Sequence, residues 1–283
     1  MTGPLRIINT GLQPARWNVA MTATLAELHA KLCIPDTVRF HRYSDCVLIG
    51  RTQAAERVAD LAYCRRAGIE IARRVTGGGA VFMSPQILAW DVVIGRRSLG
   101  SFDEITHVVS VGIAAGLSLL GASAAFRAPN AIEIGGRKVS GSSGYADANT
   151  AVLQGTVIVS GDIPAMARAL RIPASTLRNQ VTSLVEACAD PPPLDGIIAG
   201  VTRGLAEALA RDAVMEPVRL QEIARCDTLL RAGTGAQEVV SESAIGAEHE
   251  RQTIDCSSQY RSQKSRGTGR TALPRKRRRG DGL

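Results

Sequence analysis

The stretch RRVTGGGAV, at residues 73–81, is the most informative part of this 283-residue chain. Its three consecutive glycines follow a β-branched segment at residues 69–75 that is typical of a strand. Glycine has no Cβ atom, so the backbone here can approach a ligand closely and turn its N–H groups toward phosphate or carboxylate oxygens. Arg74 can add a fixed positive charge, although a flexible turn would have the same composition. No Gly-Lys-Ser/Thr follows, so this is not a Walker loop.

A second stretch, NAIEIGGRKVSGS at residues 130–142, predicts a β-hairpin with a lysine just beyond its turn. Gly135 and Gly136 supply the turn because glycine tolerates a positive φ. Lys138 is then followed by small residues that leave room for a ligand, and its compact ammonium suits a phosphate or a carboxylate. A solvated lysine on a strand is the alternative interpretation.

The spacing of apolar residues predicts an α+β fold. Helices are expected at residues 15–32, 55–67, 102–120, 163–171 and 194–211. Strands are expected at residues 37–42, 46–50, 69–75, 87–94 and 151–160, with a hairpin at 131–141. Few βαβ alternations occur in this order, which favours a mixed or largely antiparallel sheet with flanking helices.

The charge of the chain separates a neutral part from a basic one. Residues 1–250 hold 24 basic and 24 acidic side chains, so the net charge of +8 lies entirely in residues 251–283. Apolar periodicity also stops near residue 234. We therefore expect a folded catalytic domain at residues 1–233 and a disordered basic tail at residues 234–283. A basic nucleic-acid-binding face on the folded part is not indicated, and no nucleic-acid partner is expected.

The cysteines and the apolar runs indicate the compartment. The six cysteines form no CxxC pair, so neither a structural zinc site nor a disulfide scaffold is indicated. No signal peptide is recognisable, and no run reaches the roughly 18 apolar residues of a membrane helix. These features predict a cytoplasmic protein without a membrane partner.

Together, four stretches resemble the lipoate–protein ligase A family, within the biotin and lipoate protein ligase superfamily. That family carries RRxTGGGAV, an asparagine ahead of a strand, a GRKxSGSA-like segment and an LQHGT-like strand. Their counterparts here are residues 73–81, Asn130, residues 136–142 and residues 153–156. The resemblance covers about residues 15–230. It implies a class II biotin/lipoate ligase-like catalytic domain.

The resemblance implies a two-step reaction. The carboxylate of lipoate, or of a related acid, attacks the α-phosphate of ATP to give an acyl-adenylate and pyrophosphate. A lysine amine of a lipoyl-domain carrier protein then attacks this mixed anhydride. ATP and Mg²⁺ are the implied cofactors. Residues 234–283 do not resemble the accessory domain of the family, so either a separate accessory subunit supplies that role or the chain is a short form.

The resemblance also implies the site residues. Lys138 is the expected catalytic residue, in contact with carboxylate and phosphate oxygens. Asn130 is expected on the nucleotide side, as a ligand of Mg²⁺. The remaining expected substrate- and ATP-binding residues are Arg74, Thr76, Gly77, Gly78, Gly79, Ala80, Val139, Ser140, Gly141, Ser142, Gly155 and Thr156.

The sequence departs from the family pattern at four places. Met83-Ser84 stands where the family has His-Asp, and residues 143–147 lack the usual arginine. The LQGT segment at residues 153–156 is one residue shorter than LQHGT and has no histidine. The opening helix has Thr22-Ala23 where acids are common. Each departure removes a polar contact, so the acyl substrate or the rate can differ.

Two alternatives remain open. An octanoyl or lipoyl transferase of the same superfamily works through a cysteine thioester and needs a thiolate near the lysine. No cysteine lies between Cys64 and Cys188. A non-catalytic lipoate-binding relative would keep the fold without the chemistry. Biotin ligation is not favoured, because no GRGR-type loop is present.

The scattered histidines and the large aromatic side chains are expected to be structural. The four histidines show no spacing that is typical of metal ligands, so we interpret them as ordinary surface or core residues. Trp90 and Phe82 are expected in the core, although Phe82 can also wall an apolar acyl tunnel.

Overall fold

The computed structural model describes residues 3–96 and 100–236. Its helices are α1 (Ala15–Ala30), α2 (Ala55–Val58), α3 (Leu61–Ala67), α4 (Phe102–Ser118), α5 (Ile163–Leu170), α6 (Ala174–Gln180), α7 (Leu184–Ala187), α8 (Leu194–Ala208) and α9 (Leu220–Arg231). Its strands are β1 (Leu5–Gln13), β2 (Thr37–Tyr43), β3 (Cys46–Ile49), β4 (Glu70–Arg73), β5 (Val81–Met83), β6 (Ile87–Gly95), β7 (Ala124–Arg127), β8 (Ala131–Ile134), β9 (Arg137–Ala146), β10 (Thr150–Ile158) and β11 (Ala213–Met215).

The strands form one large sheet and one small sheet. The large sheet has the order β11-β1-β2-β6-β10-β9-β8-β7, and the small sheet has the order β4-β3-β5. Strands β11, β1 and β2 run parallel, whereas β2, β6, β10, β9, β8 and β7 pair antiparallel. The predicted α+β fold with a mixed sheet and flanking helices is therefore confirmed.

Helices α4 and α8 cover one face of the large sheet. Alternate residues of β6 and β10, such as Trp90 and Leu153, enter this core together with Ile105 and Val201 from the two helices. The helices cross closely because glycines meet at the crossing: Gly112, Gly116, Gly200 and Gly204. The opposite face of the sheet packs on α1, on the small sheet and on α5, and it is this face that carries the candidate site.

Several elements differ from the sequence predictions. The helix expected at 55–67 is two helices, because Asp60 interrupts it and caps α3 by accepting a hydrogen bond from Tyr63 N at 2.9 Å. Strands β1, β5, β7 and β11 and helices α6, α7 and α9 were not predicted. Helix α9 is anchored by a buried ion pair in which Arg6 Nη1 donates to Glu222 Oε1 at 2.6 Å.

The described chain continues three residues past the predicted domain boundary. The amide of Arg73 donates to Gly235 O at 3.1 Å, and Gly235 lies against Val19 of α1. The rest of the predicted tail, residues 237–283, lies outside the described residues. Within residues 3–96 and 100–236, no helix has the length and apolar character that a membrane span requires.

Candidate active site

A cavity of about 350 Å³ lies between the large sheet, the glycine-rich loop and helices α5 and α6. Its floor is the face of β2, β6, β10 and β9 that points away from α4 and α8. We call residues 74–80, which connect β4 to β5, the glycine loop. This loop forms one side of the cavity, and Met166 of α5 and Leu177 of α6 form another.

Strand register places a row of polar residues on the cavity floor. Arg39 of β2 lies opposite Asp91 of β6, which lies opposite Gln154 of β10, which lies opposite Ser143 of β9. Side chains two residues apart on a strand share a face, so His41 lies in the next row of residues along the strands. The positions beyond that row are more apolar. The polarity of the floor therefore changes along the strands.

The polar row is joined by hydrogen bonds. Arg39 Nε donates to Asp91 Oδ2 at 2.9 Å, and Gln154 Nε2 donates to Asp91 Oδ1 at 3.0 Å. Thr22 of α1 also donates to Asp91, at 2.9 Å. Arg39 and Asp91 are both almost fully buried, so each needs the other as a charge partner.

The glycine loop is held by the guanidinium of Arg74. Its Nη2 donates to Gly77 O at 2.6 Å and to Gly79 O at 2.7 Å, and its Nη1 donates to Leu48 O at 3.0 Å. These bonds fix the loop carbonyls against one buried cation. Glycine is required at two points, because a Cβ atom at Gly50 would overlap the carbonyl oxygen of Gly78, which itself has a φ of +89°.

The cavity presents two cations, and neither forms an ion pair with a carboxylate in the described part of the chain. Arg74 is surrounded by neutral carbonyls, and burial lowers its pKa to about 10. It therefore stays charged at neutral pH. The other cation is Lys138, whose ammonium has no carboxylate partner among the described residues. An anionic ligand would neutralise both charges.

Lys138 lies on β9, directly after the glycine turn that the sequence predicted. Gly135 and Gly136 have φ values of +57° and +75°. The carbonyl of Lys138 accepts a hydrogen bond from Thr182 N at 2.9 Å, which joins β9 to the segment after α6. A Cβ atom at Gly141 would lie 3.7 Å from Lys138 Nζ, so the ammonium lies over this glycine and has open space beside it.

Asn130 is oriented by the same hairpin. Its Nδ2 donates to Ser142 O at 2.7 Å, and its carbonyl accepts from Ser142 N at 3.0 Å. The amide of Asn130 thus faces the cavity beside the strand that carries Lys138. The structure brings Asn130 and Lys138 to the lining of one cavity.

The remaining wall of the cavity is apolar. Phe82 and Met83 of β5, Ile87 of β6, and Met166 and Leu170 of α5 line it, and they belong to one continuous cluster of buried side chains. Phe82 therefore lies in the core and also walls the cavity. An apolar wall beside two cations suits a molecule with a hydrocarbon part and an anionic part.

The structure separates the predicted site residues into two groups. Those that line the cavity are Arg74, Gly78, Gly79, Ala80, Asn130, Lys138, Gly141, Ser142, Gly155 and Thr156. Thr76, Gly77, Val139 and Ser140 do not line it. Val139 points into the core against α4 and α8, and the side chain of Ser140 is buried. Thr76 is also fully buried, beneath the loop.

Sequence reasoning missed several residues of the cavity: His41, Tyr43, Asp91, Ser143 and Gln154. Burial, and then the charge of Arg39, hold the pKa of His41 well below its ordinary value, so its ring is neutral. The sequence indicated an ordinary surface or core residue at His41, and it is a core residue that also faces the cavity. The alternation of side chains between the two faces of β2 was the sequence signal that could have indicated His41. Only the pairing of the strands shows which of these faces meets the glycine loop.

The described residues do not fit a metal site built by the protein. They contain no group of three or more His, Cys, Asp or Glu side chains that could hold an ion. Asp91 is the one carboxylate of the cavity lining, and Arg39, Thr22 and Gln154 already use its oxygens. Asn130, the expected ligand of Mg²⁺, lines the cavity and could supply one oxygen, so phosphates and water would have to complete the coordination of the ion.

None of the five described cysteines lines the cavity. Burial raises the pKa of the Cys46 thiol well above its ordinary value and raises the pKa of Cys226 to about 11. Burial also raises the pKa of Cys64. These three thiols are therefore protonated at neutral pH and poor nucleophiles.

Known proteins that are similar to this chain include an octanoyltransferase and lipoate-protein ligases. The octanoyltransferase LipM of Symbiobacterium thermophilum is 28% identical over 266 residues, which are 81% of this chain and 95% of that protein. A crystal structure of lipoate-protein ligase A bound with ATP matches with a TM-score of 0.73 and 23% identity, covering 82% of this chain and 95% of that one. The bi-partite lipoate protein ligase of Thermoplasma acidophilum, studied with its E2 lipoyl domain, matches with a TM-score of 0.70 and 24% identity, covering 82% and 92%.

The family comparison covers the whole site. Residues 14–206 match the family described as the lipoyl protein ligase A/B catalytic domain. This range includes the glycine loop, Asn130 and Lys138. Because the match extends over more than half of the chain, the protein belongs to the lipoyl protein ligase A/B catalytic domain family.

Proposed function

We propose that this protein activates lipoate, or a closely related acyl acid, with ATP and transfers the acyl group to a lysine of a lipoyl carrier domain. One observation carries the proposal: an apolar cavity wall adjoins two cations that have no carboxylate partner among the described residues, and no described cysteine lines the cavity. An acyl-adenylate has the matching parts, a hydrocarbon chain and an anionic phosphate.

In the first step, a carboxylate oxygen of the acid attacks the α-phosphorus of ATP. The bond from the α-phosphorus to the bridging oxygen breaks, and pyrophosphate leaves. The ammonium of Lys138 stabilises the negative charge on the carboxylate and phosphate oxygens, because the two anions must approach each other. Arg74 keeps the glycine loop in place beside them, and the apolar wall holds the acyl chain.

In the second step, the amine of the carrier lysine attacks the acyl carbon. The bond between that carbon and the adenylate oxygen breaks, AMP leaves, and the amine loses a proton to solvent. No thiolate is needed, which agrees with the protonated state of Cys46, Cys64 and Cys226. The described residues offer Mg²⁺ no site of their own, so we assign the metal no step.

The proposed protein partners are inferred from the relatives and not from residues of this chain. The Thermoplasma ligase is bi-partite and was studied with an E2 lipoyl domain. We propose a lipoyl domain as the acyl acceptor here, and a separate accessory subunit as a further partner. Asn130, Ser142 and Thr156 are proposed to contact the nucleotide or the acid, since they line the same cavity as Lys138.

Octanoyl transfer is the second candidate function. It is favoured by the similarity to a LipM octanoyltransferase over 95% of the length of that protein. It requires a thiol to accept the acyl group, and the position of the described cysteines outside the cavity lining argues against it.

An acylation assay on a purified lipoyl domain separates the two functions. One arm contains ATP, Mg²⁺ and lipoate or octanoate, and the other contains octanoyl carrier protein without ATP. Intact-mass measurement of the lipoyl domain reports the product. We expect acylation only in the ATP arm. Acylation in the ATP-free arm would establish the transferase instead, and acylation in neither arm would disprove both activities for the protein without an accessory subunit.

A further inference from the structure

We infer that Gln154 is a positioning residue that fixes the glycine loop to the buried Arg39–Asp91 ion pair. Gln154 is half-buried on β10, and its two amide atoms bond in opposite directions. Its Nε2 donates to Asp91 Oδ1 at 3.0 Å, whereas its Oε1 lies 3.0 Å from Thr76 Oγ1. Thr76 directly precedes the three glycines of the loop.

Asp91, at one end of this series of hydrogen bonds, determines the direction of every bond in it. The carboxylate of Asp91 can only accept, so the amide nitrogen of Gln154 must face it. The amide oxygen of Gln154 can also only accept, so the single hydroxyl proton of Thr76 is donated to it. The hydroxyl of Ser143, 3.0 Å from Thr76 Oγ1, must then donate to Thr76.

Thr76 is saturated as a result. Its oxygen accepts from Ser143 and from Arg74 Nε at 3.2 Å, and its proton goes to Gln154. Thr76 therefore has no group left for a substrate, although the sequence predicted it as a binding residue. Its role is to join the loop to Gln154 and, through Gln154, to Asp91.

The Arg39–Asp91 ion pair, at the far end of this series of hydrogen bonds, is a rigid anchor. Asp91 and Arg39 are 1% and 0% exposed, and Arg39 also donates to Asn18 O at 3.0 Å. Charge-assisted bonds between buried groups are strong and directional. The glycine loop itself has little intrinsic stiffness, because glycine has the largest conformational freedom. Arg74 holds the loop from within, and Gln154 adds a fixed attachment from outside it.

Replacing Thr76 tests this inference without a change in shape. Thr76→Val removes the hydroxyl and keeps the volume, and Thr76→Ser keeps the hydroxyl. Hydrogen exchange of the amides at residues 74–81 is measured in the ligand-free protein. We expect exchange to accelerate by at least about tenfold in Thr76→Val and to recover in Thr76→Ser. Thr228→Val, at an exposed hydroxyl on α9, is the matched control and should not change it.

Gln154→Glu adds a readout that loss of packing would not give. A carboxyl oxygen would replace Nε2 beside Asp91 Oδ1, and only the protonated form of the introduced carboxyl could donate to Asp91 and still accept from Thr76. Two adjacent carboxyls raise the pKa of one of them. The charged groups that face this pair are Arg39 from β2 and Arg74 from the loop. His41 and Tyr43 of β2 are neutral, and α1 presents Thr22.

The sign of the pH effect follows from the raised pKa. The correct bonding pattern exists while the introduced carboxyl is protonated and is lost as pH rises through its pKa. Between about pH 5 and about pH 9, loop exchange in Gln154→Glu, relative to wild type at the same pH, should rise by about tenfold or more. A ratio that stays constant with pH, together with unchanged exchange in Thr76→Val, would overturn the inference.

The inference rests on the proposed function only for its consequence in catalysis. If the loop must be ordered to bind the acid, Thr76→Val should raise KM for the acid by about the same factor as it loosens the loop and change kcat less. Wild-type protein that never releases pyrophosphate would disprove the proposed function and leave the exchange result standing. Normal KM in a loosened variant would refute the positioning role.

Discussion

Arg39 and Asp91 form a buried ion pair beside a place where the sequence departs from the family pattern. Acids are common in the opening helix of the resembling family, and this chain has Thr22-Ala23 there. In the structure, Asp91 of β6 supplies the carboxylate that Arg39 needs, and Thr22 donates a hydrogen bond to it. Arg39 therefore has a buried carboxylate partner on the neighbouring strand in the described chain.

Local motifs made part of the site predictable at the residue scale. Lys138 and Asn130 belong to one hairpin, and the glycine loop is continuous in sequence, so their chemistry could be inferred from neighbouring letters. His41 could not be inferred in this way, because it reaches the cavity through the pairing of β2 with β6, which are far apart in the chain. Sequence alternation gives the face of a strand but not its neighbours.

Cysteine reactivity is the prediction at this scale. At pH about 8, iodoacetamide should modify the exposed Cys33 and leave Cys46, Cys64 and Cys226 unmodified in the folded protein, because burial raises the pKa of each of these three thiols. Their protection should weaken only as pH rises toward those raised pKa values, about 11 for Cys226. Ligation activity should be retained.

Peptide mass mapping and the acylation assay on the same sample check this prediction. Labelling in denaturant is the control that all thiols can be detected. Activity that falls in proportion to one cysteine adduct would indicate a thioester mechanism and contradict the ligase account.

At the element scale, helix α4 was predictable from its apolar stripe, whereas strands β5 and β11 and helix α9 were not predictable. Helix α4 was predicted nearly to its ends, since its apolar residues recur on one face. Strands β5 and β11 have three residues each, too few to show alternation. Helix α9 has few buried residues and is held by ion pairs such as Arg6–Glu222, a contact across 216 positions of sequence.

The crossing of α4 and α8 gives a stability prediction. A Cβ atom at Gly204 would overlap the backbone of Gly112 and Gly116, so Gly204→Ala must push the helices apart. We expect a loss of about 1–3 kcal/mol in the free energy of unfolding, measured by urea denaturation. Gly196→Ala on the same helix is the control: its nearest neighbour would be 3.5 Å away, and it should be neutral or slightly stabilising. Equal effects of both substitutions would disprove the close-crossing explanation.

At the scale of the whole molecule, the two faces of the large sheet have separate tasks. One face is sealed by α4 and α8 and contributes the main core. The other face carries the polar row and is covered incompletely, so the cavity remains between it, the glycine loop and the helices α5 and α6. The sequence predicted the α+β class but not the strand order, since the eight-stranded order depends on pairings such as β1 with β11, more than 200 residues apart.

Pyrophosphate release by the whole protein is the most direct test of the central claim, that Lys138 serves acid activation by ATP. Purified protein is given ATP, Mg²⁺ and lipoate, octanoate or no acid, and is compared with Lys138→Ala and with Lys31→Ala, which removes a lysine that is 61% exposed on the surface. We expect acid-dependent release that is lost by at least about a hundredfold in Lys138→Ala and unchanged in Lys31→Ala. Acid-dependent release that persists in Lys138→Ala, or no release from folded wild-type protein that binds lipoate, would contradict this claim.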